Sequence, residues 1–256
     1  LYCDGHFVQS RNFNLQKVGD VSWLEKNYDF KKISYYIDEL VILDVSREEK
    51  NLDIFLKNLN FITKFCFIPI SVGGGINTYD KVKKILTNGA DKVLINSNLK
   101  LKLLQEISKN YGQQSIIASV DYKKINGKYK VFVKNSSVQL KTSLKDYILK
   151  LNNFPIGEII LNSIDQDGTG NGLDFEIIKS IPKNIKKSII LSGGCGNVVH
   201  LSEGLNNKSI DAVSTANLLN FIGDGLKKAR EDMLINKFKL PIWDVKTIHM
   251  LKNKFK

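Results

Sequence analysis

The chain has no stretch approaching the ~18 uncharged apolar residues that a membrane span needs, so a membrane protein is not expected. Cysteine and histidine are scarce, at three residues each. Cys3, Cys66 and Cys195 form neither a CxxC pair nor a disulfide framework, and they read as reduced thiols of a cytoplasmic protein. His6, His200 and His249 stand too far apart for metal-ligand spacing, so neither a metal nor another cofactor is expected. No secretion signal is visible, and the chain opens at Leu1 without a methionine, as a fragment lacking its first residues would. Aromatic residues do not interleave with a basic run, which argues against a single-strand nucleic-acid platform. The net charge is nonetheless +12. Its lysines are spread along the chain, where Lys, Asn and Ile are all abundant, so the charge reads as a compositional bias rather than a binding patch. An anionic small molecule is a sufficient partner for this field, and nucleic acid is the less favoured alternative.

What is present points to one large α/β unit. The 256 residues, 43% apolar and 25% charged, suit a globular protein with a sizeable core, and the length accommodates two small domains or one barrel. Near-continuous, β-branched apolar runs occur at Glu39–Asp44, Ile68–Val72, Lys92–Asn96, Ser115–Asp121, Glu158–Ser163, Ser188–Ser192 and Ala212–Ala216. Such runs are typical of parallel strands buried on both faces. Amphipathic segments such as Tyr79–Asn88 and Leu101–Tyr111 separate them, giving βαβ units. With Leu1–Cys3 as the tail of a truncated first strand there are eight, which predicts a closed (β/α)8 TIM barrel over residues 1–235 and an appendage over 236–256. The Asn126-Gly127 pair predicts a β-hairpin after the fifth strand.

An internal repeat supports the barrel. Gly73-Gly74 begins 18 residues before Asp91, and Gly193-Gly194 begins 18 before Asp211, a shift of 120 for both. Glu39–Leu43 returns as Glu158–Asn162, shifted by 119. Two similar half-barrels account for this, whereas two Rossmann-type domains would need a linker near residue 120, where the hairpin lies instead.

The repeat also carries the chemistry. Each glycine cluster, Val72–Gly75 and Ser192–Gly196, follows a buried strand and precedes a helix, a setting in which backbone N–H groups can approach a phosphate. The alternative is a tight turn with no ligand. Polar strand ends accompany both clusters, Asn96-Ser97-Asn98 and Ala216-Asn217, so an elongated bisphosphate is expected across one barrel mouth. Asp121 ends the fifth strand, where barrels place catalytic groups, and is a candidate acid/base. Asp44, Asp165 and Asp167 also end strands or follow them, as candidate acids or as turn residues; Asp4-Gly5 reads as a turn. Glu39, Lys92 and Glu158 begin strands two, four and six. If they point inward they form a charged ring at the bottom, with a structural ion pair or surface caps as the alternative.

Asp4-Gly5, Asp38–Asp44, Val72–Ile76, Gly89–Val93, Ser119–Asp121, Gly157–Thr169 and Ser192–Gly194 together resemble the cyclase subunit of imidazole glycerol phosphate synthase, over nearly the whole chain. The resemblance implies a barrel that takes ammonia, released from glutamine by a separate glutaminase subunit at its bottom, to a bisphosphate ribonucleotide at its top. It implies that Asp121 is one of two catalytic aspartates. Gly75, Asn96 and Ser97 would hold one phosphate, and Asp167, Gly168, Gly194, Ala216 and Asn217 the other. Glu39, Lys92 and Glu158 would be three of the four residues of an ammonia gate, and Asp91 would lie at the glutaminase interface. The chain departs from the pattern at Leu1, where the second catalytic aspartate is expected. Each such group typically contributes ~10²–10⁴-fold. Leu1 resembles a divergent branch associated with surface-polysaccharide gene sets, which implies ammonia delivery for an acetamidino sugar. A non-catalytic ammonia conduit and a related sugar-phosphate isomerase barrel are the other readings.

Overall fold

The computed structural model describes residues 1–27, 35–47, 50–216 and 225–241. Eight short strands make the ring: β1 (Tyr2–Cys3), β4 (Leu40–Leu43), β5 (Ile70–Gly73), β6 (Lys92–Ile95), β7 (Ile116–Ile125), β10 (Glu158–Ser163), β11 (Ser188–Ser192) and β12 (Ala212–Ser214). From β4 round to β12 every neighbouring pair in this order is parallel. Strand β1 joins through a parallel bridge between Tyr2 and Asp44, with the Val45 N–H donating to the Tyr2 carbonyl at 2.8 Å. No β1–β12 ladder occurs among the described residues. This is the expected (β/α)8 TIM-barrel order, each strand beginning within two residues of the start of its apolar run, with β7 running four residues past the end of its run. No helix among the described residues is long and apolar enough to cross a membrane.

Alternation within the strands separates two apolar layers. In β7, Ile116, Ala118, Val120 and Tyr122 face the helices, whereas Ile117 packs inside the ring with Leu94 and Ile160, flanked by Val41, Leu43 and Ile190. After the short α1 (Val21–Asn27), the helices covering the outside include α2 (Leu52–Thr63), α3 (Tyr79–Thr87), α4 (Leu101–Tyr111), α5 (Leu144–Asn152), α6 (Val198–Leu205) and α7 (Gly225–Ile235). Their starts are set locally: Asn51, Thr78, Ser143 and Asn197 each accept a backbone N–H from the first turn. Helix α2 then buries Phe55, Leu56, Leu59 and Ile62, each worth about 1.5–3 kcal/mol when fully covered.

The repeat has a structural basis at the bottom of the ring. The Asp91 N–H donates to the Ile70 carbonyl while the Ile70 N–H donates to Asp91 Oδ2, both at 2.8 Å. Asp211 and Ile189 repeat the pair, at 2.9 and 2.7 Å. Each carboxylate thus closes a strand start that would otherwise leave a donor unpaired.

Two hairpins decorate the mouth. The predicted one is present: Asn126 (φ 48°) and Gly127 (φ 73°) turn β7 into β8 (Lys128–Val133), and a further strand, β9 (Val138–Ser143), extends it to a three-stranded meander. The other, β2 (His6–Arg11) with β3 (Asn14–Gly19), was not anticipated. Asp4-Gly5 is indeed the turn leading into it, with φ of 48° and 83°.

Gly74 shows how tightly the mouth is built. Its φ is 114°, and a Cβ there would overlap the Asp44 carbonyl oxygen. Backbone strain and overpacking each cost about 1–3 kcal/mol, so Gly74→Ala should lose on the order of 3 kcal/mol in urea unfolding. An unchanged midpoint would show that the β5 loop is not held against β4.

Candidate functional site

Positions at the ends of three neighbouring strands, β6, β7 and β10, form the centre of the site. Asp121, on β7, is 8% exposed. Its Oδ1 accepts from Asn162 Nδ2 at 3.1 Å and its Oδ2 from Asn96 Nδ2 at 3.2 Å. Burial pushes its carboxyl up to about 6 from 3.8; the Asn162 hydrogen bond pulls it down, and the charge of Asp167 pushes it further up. A carboxyl poised there can take or give a proton near neutral pH.

A cavity of about 1360 Å³ connects this mouth with the barrel bottom. Gly75, Asn96, Ser97, Asp121, Asp167, Gly168 and Gly194 line it at the top, and Glu39 lines it at the other end. At the first glycine loop, Ser97 Oγ donates to Asn96 Oδ1 at 3.0 Å and accepts the Lys134 N–H at 2.9 Å, so the meander fastens this corner. At the second, the β2–β3 hairpin folds over the loop after β10. Ser10 Oγ and the Phe13 N–H both donate to Asp167 Oδ2, at 2.5 and 3.0 Å, and Asn12 Nδ2 donates to the carbonyls of Ile164 and Asp165. Asp167 Oδ2 is therefore held by the hairpin, while the residue still lines the cavity. Gly168 permits this closure, because a Cβ there would fall on the Ser10 carbonyl oxygen. Ala216 lines the cavity as well, while Asn217 lies outside the described residues. Cys195, also on the second loop, has its thiol pushed by burial up to about 11, which leaves no thiolate for nucleophilic chemistry.

The three charged strand starts do meet. Lys92 Nζ lies 2.7 Å from Glu39 Oε2 and 2.8 Å from Glu158 Oε1, and Ser71 Oγ donates to Glu39 Oε1. Burial pulls the Lys92 ammonium down, but its hydrogen bonds to Glu158 and Glu39 prevail and hold it above its ordinary value. Glu158 Oε2 is buried with no hydrogen-bond partner among the described residues. Beside the ring, Arg230 of α7 pairs with Asp38 at 2.9 Å and donates to the Pro241 carbonyl at 2.5 Å. Residues 242–256, most of the expected appendage, lie outside the described part.

The profile of the histidine biosynthesis protein family matches residues 4–222. The chain belongs to this family. Among its relatives is a protein of Parasynechococcus marenigrum provisionally named imidazole glycerol phosphate synthase subunit hisF2, 45% identical over 90% of this chain and 87% of that one. The imidazole glycerol phosphate synthase subunits HisF of Chlorobaculum parvum and Chlorobaculum tepidum are each 31% identical over 89% of this chain and 90% of their own.

Membership gives the remaining positions a frame. Leu1 lines the same cavity as Asp121 and stands one residue before β1, which joins the ring beside β4. Asp91, expected at a subunit interface, spends Oδ2 on the Ile70 N–H. Of the functional positions missed in the sequence, Asn162 was within reach: it shares the inward phase of Glu158 and Ile160 on β10. Ser10 gave no signal, since it reaches Asp167 through a chain reversal.

Proposed function

We propose that this barrel is the synthase subunit of a glutamine amidotransferase, using ammonia supplied by a separate glutaminase subunit on an elongated substrate with a phosphate at each end. The observation that carries the reading is one cavity with a buried, proton-exchanging Asp121 between two glycine loops at its mouth and the Glu39–Lys92–Glu158 cluster at its base. The glycine loops, with Gly75, Asn96 and Ser97 on one side and Gly168, Gly194, Ala216 and Asn217 on the other, are the phosphate-binding elements of this reading. Asp121 acts as the acid/base group, the charged cluster forms the ammonia gate, and Asp91 Oδ1 is left to meet the glutaminase.

The substrate that family kinship favours is the bisphosphate ribonucleotide of imidazole glycerol phosphate synthesis, cyclised with ammonia. Leu1 favours a second reading, in which the barrel supplies ammonia for an acetamidino sugar of a surface polysaccharide, because cyclisation is left with one carboxyl of two. The higher identity to the hisF2 protein than to the HisF subunits agrees with a distinct branch. Turnover of the bisphosphate ribonucleotide with ammonium salts, and with glutamine plus a co-purified glutaminase, tests both. Turnover under either condition supports the cyclase. Binding of a glutaminase without turnover removes the cyclase and leaves ammonia delivery, and failure to bind a glutaminase removes amidotransfer altogether.

A further inference from the structure

Resting on that two-phosphate reading, we propose that Lys50 is the cationic ligand of the first phosphate, the group that selects a doubly charged phosphomonoester at the β5 loop. Lys50 stands just before Asn51, the residue capping α2. Its side chain bends back over the mouth, with Nζ donating to the Asp44 carbonyl at 2.6 Å and to Asp44 Oδ1 at 3.2 Å. Its methylenes cover Gly75 so closely that a Cβ on Gly75 would lie 2.7 Å from Cδ and 2.9 Å from Cε. Lys50, Gly74, Gly75, Asn96 and Ser97 all line the main cavity.

The local hydrogen bonding says why a lysine is needed. Both polar side chains of this corner are occupied: Asn96 Nδ2 donates to the Ser119 carbonyl and to Asp121, and Ser97 Oγ donates to Asn96. A phosphate arriving at the loop brings two negative charges to neutral backbone N–H groups; Lys81 Nζ lies on the Gly75 carbonyl at 3.4 Å but does not line the cavity, whereas Lys50 does. Asp44, by contrast, has donors to spare, because the Ser46 N–H and Oγ already reach its Oδ1 at 3.0 and 2.6 Å. An ammonium has three protons and Asp44 takes two of them, so one is left for the cavity. Lys50 is thus held in place by a carboxylate that keeps two hydrogen bonds from Ser46 when the ammonium is replaced.

The test is calorimetric titration of glycerol 3-phosphate into the full chain carrying Ala216→Asp, which sets a carboxylate at the second loop so that the first is read alone. Adding Lys50→Met is expected to weaken binding about 10- to 100-fold, the weight of a charge-assisted hydrogen bond. Lys50→Arg should stay within about threefold of its parent on the same reasoning. Lys50→Gln, which keeps a donor for Asp44 without the charge, should behave like Lys50→Met and guards against a folding defect in the latter. Unchanged affinity in Lys50→Gln would overturn the assignment while leaving the two-phosphate reading intact. If the unsubstituted chain binds no phosphomonoester at either loop, the reading itself fails and the role of Lys50 fails with it.

Discussion

Asp121→Asn is expected to lower ammonia-dependent turnover by about 10²–10⁴-fold and, at the same time, to stabilise the fold above pH 6. Both effects come from one buried carboxyl raised from 3.8 to about 6. Between those values the folded chain keeps a proton that the unfolded chain has released, so stability falls as pH rises through the window. Below about pH 3.8 the group is neutral in both states and costs nothing. Above about 6 the whole penalty applies, on the order of 3 kcal/mol for an elevation of roughly two units. Asparagine removes the charge but gives up one acceptor to the facing amides of Asn96 and Asn162, about 1 kcal/mol, which leaves a net gain of about 2 kcal/mol. Urea unfolding at pH 4 and pH 8 separates the states: the variant should gain at pH 8 and not at pH 4. An equal gap at both would mean that Asp121 is not the raised group. In the unsubstituted protein kcat/KM should rise with a limb near pH 6, absent from whatever activity the variant retains.

Lys92→Met is the second large effect. It leaves Glu39 and Glu158 facing each other across the ring with the cation gone, and one Glu158 oxygen has no partner among the described residues even now. Stranding buried charges costs about 3–5 kcal/mol, but these side chains keep 20–25% of their exposure, so a loss of about 2–3 kcal/mol is expected. Neutralising the glutamates as well, in Glu39→Gln/Lys92→Met/Glu158→Gln, should recover most of that loss. The triple variant then isolates function from folding. If the ring passes ammonia, glutamine-dependent turnover should fall further than turnover on added ammonium, whereas equal falls would assign the ring to the architecture alone.

The ring, the strands and the two glycine loops were legible because each depends on local periodicity. Inward and outward positions alternate along a strand, so Glu39, Lys92 and Glu158 at equivalent starts had to share a layer once a barrel was inferred. Asn126-Gly127 announced its turn by the backbone angles it tolerates. The β2–β3 hairpin did not, because its tip is Asn12-Phe13, with φ of 50° and 65°, and phenylalanine carries no turn signal. That tip is held by the loop at Ile164–Asp167, more than 150 positions away, so its stability is tertiary. Lys50 was hidden for the same reason: what it touches is decided by how α2 approaches the mouth.

The paired clips of Asp91 on Ile70 and Asp211 on Ile189 have one more consequence. They show that the two halves of the ring begin their strands alike at the bottom, and, on the two-phosphate reading, a mouth built on the same duplication cannot tell head from tail. A substrate with a phosphate at each end would sit in it either way round. On that reading polarity comes from side chains that break the symmetry: Lys50 and Ser97 on one flank, Ala216 and the hairpin-bound Asp167 on the other, with Asp121 between them. Duplication accounts for the grip, and divergence between the copies for the direction.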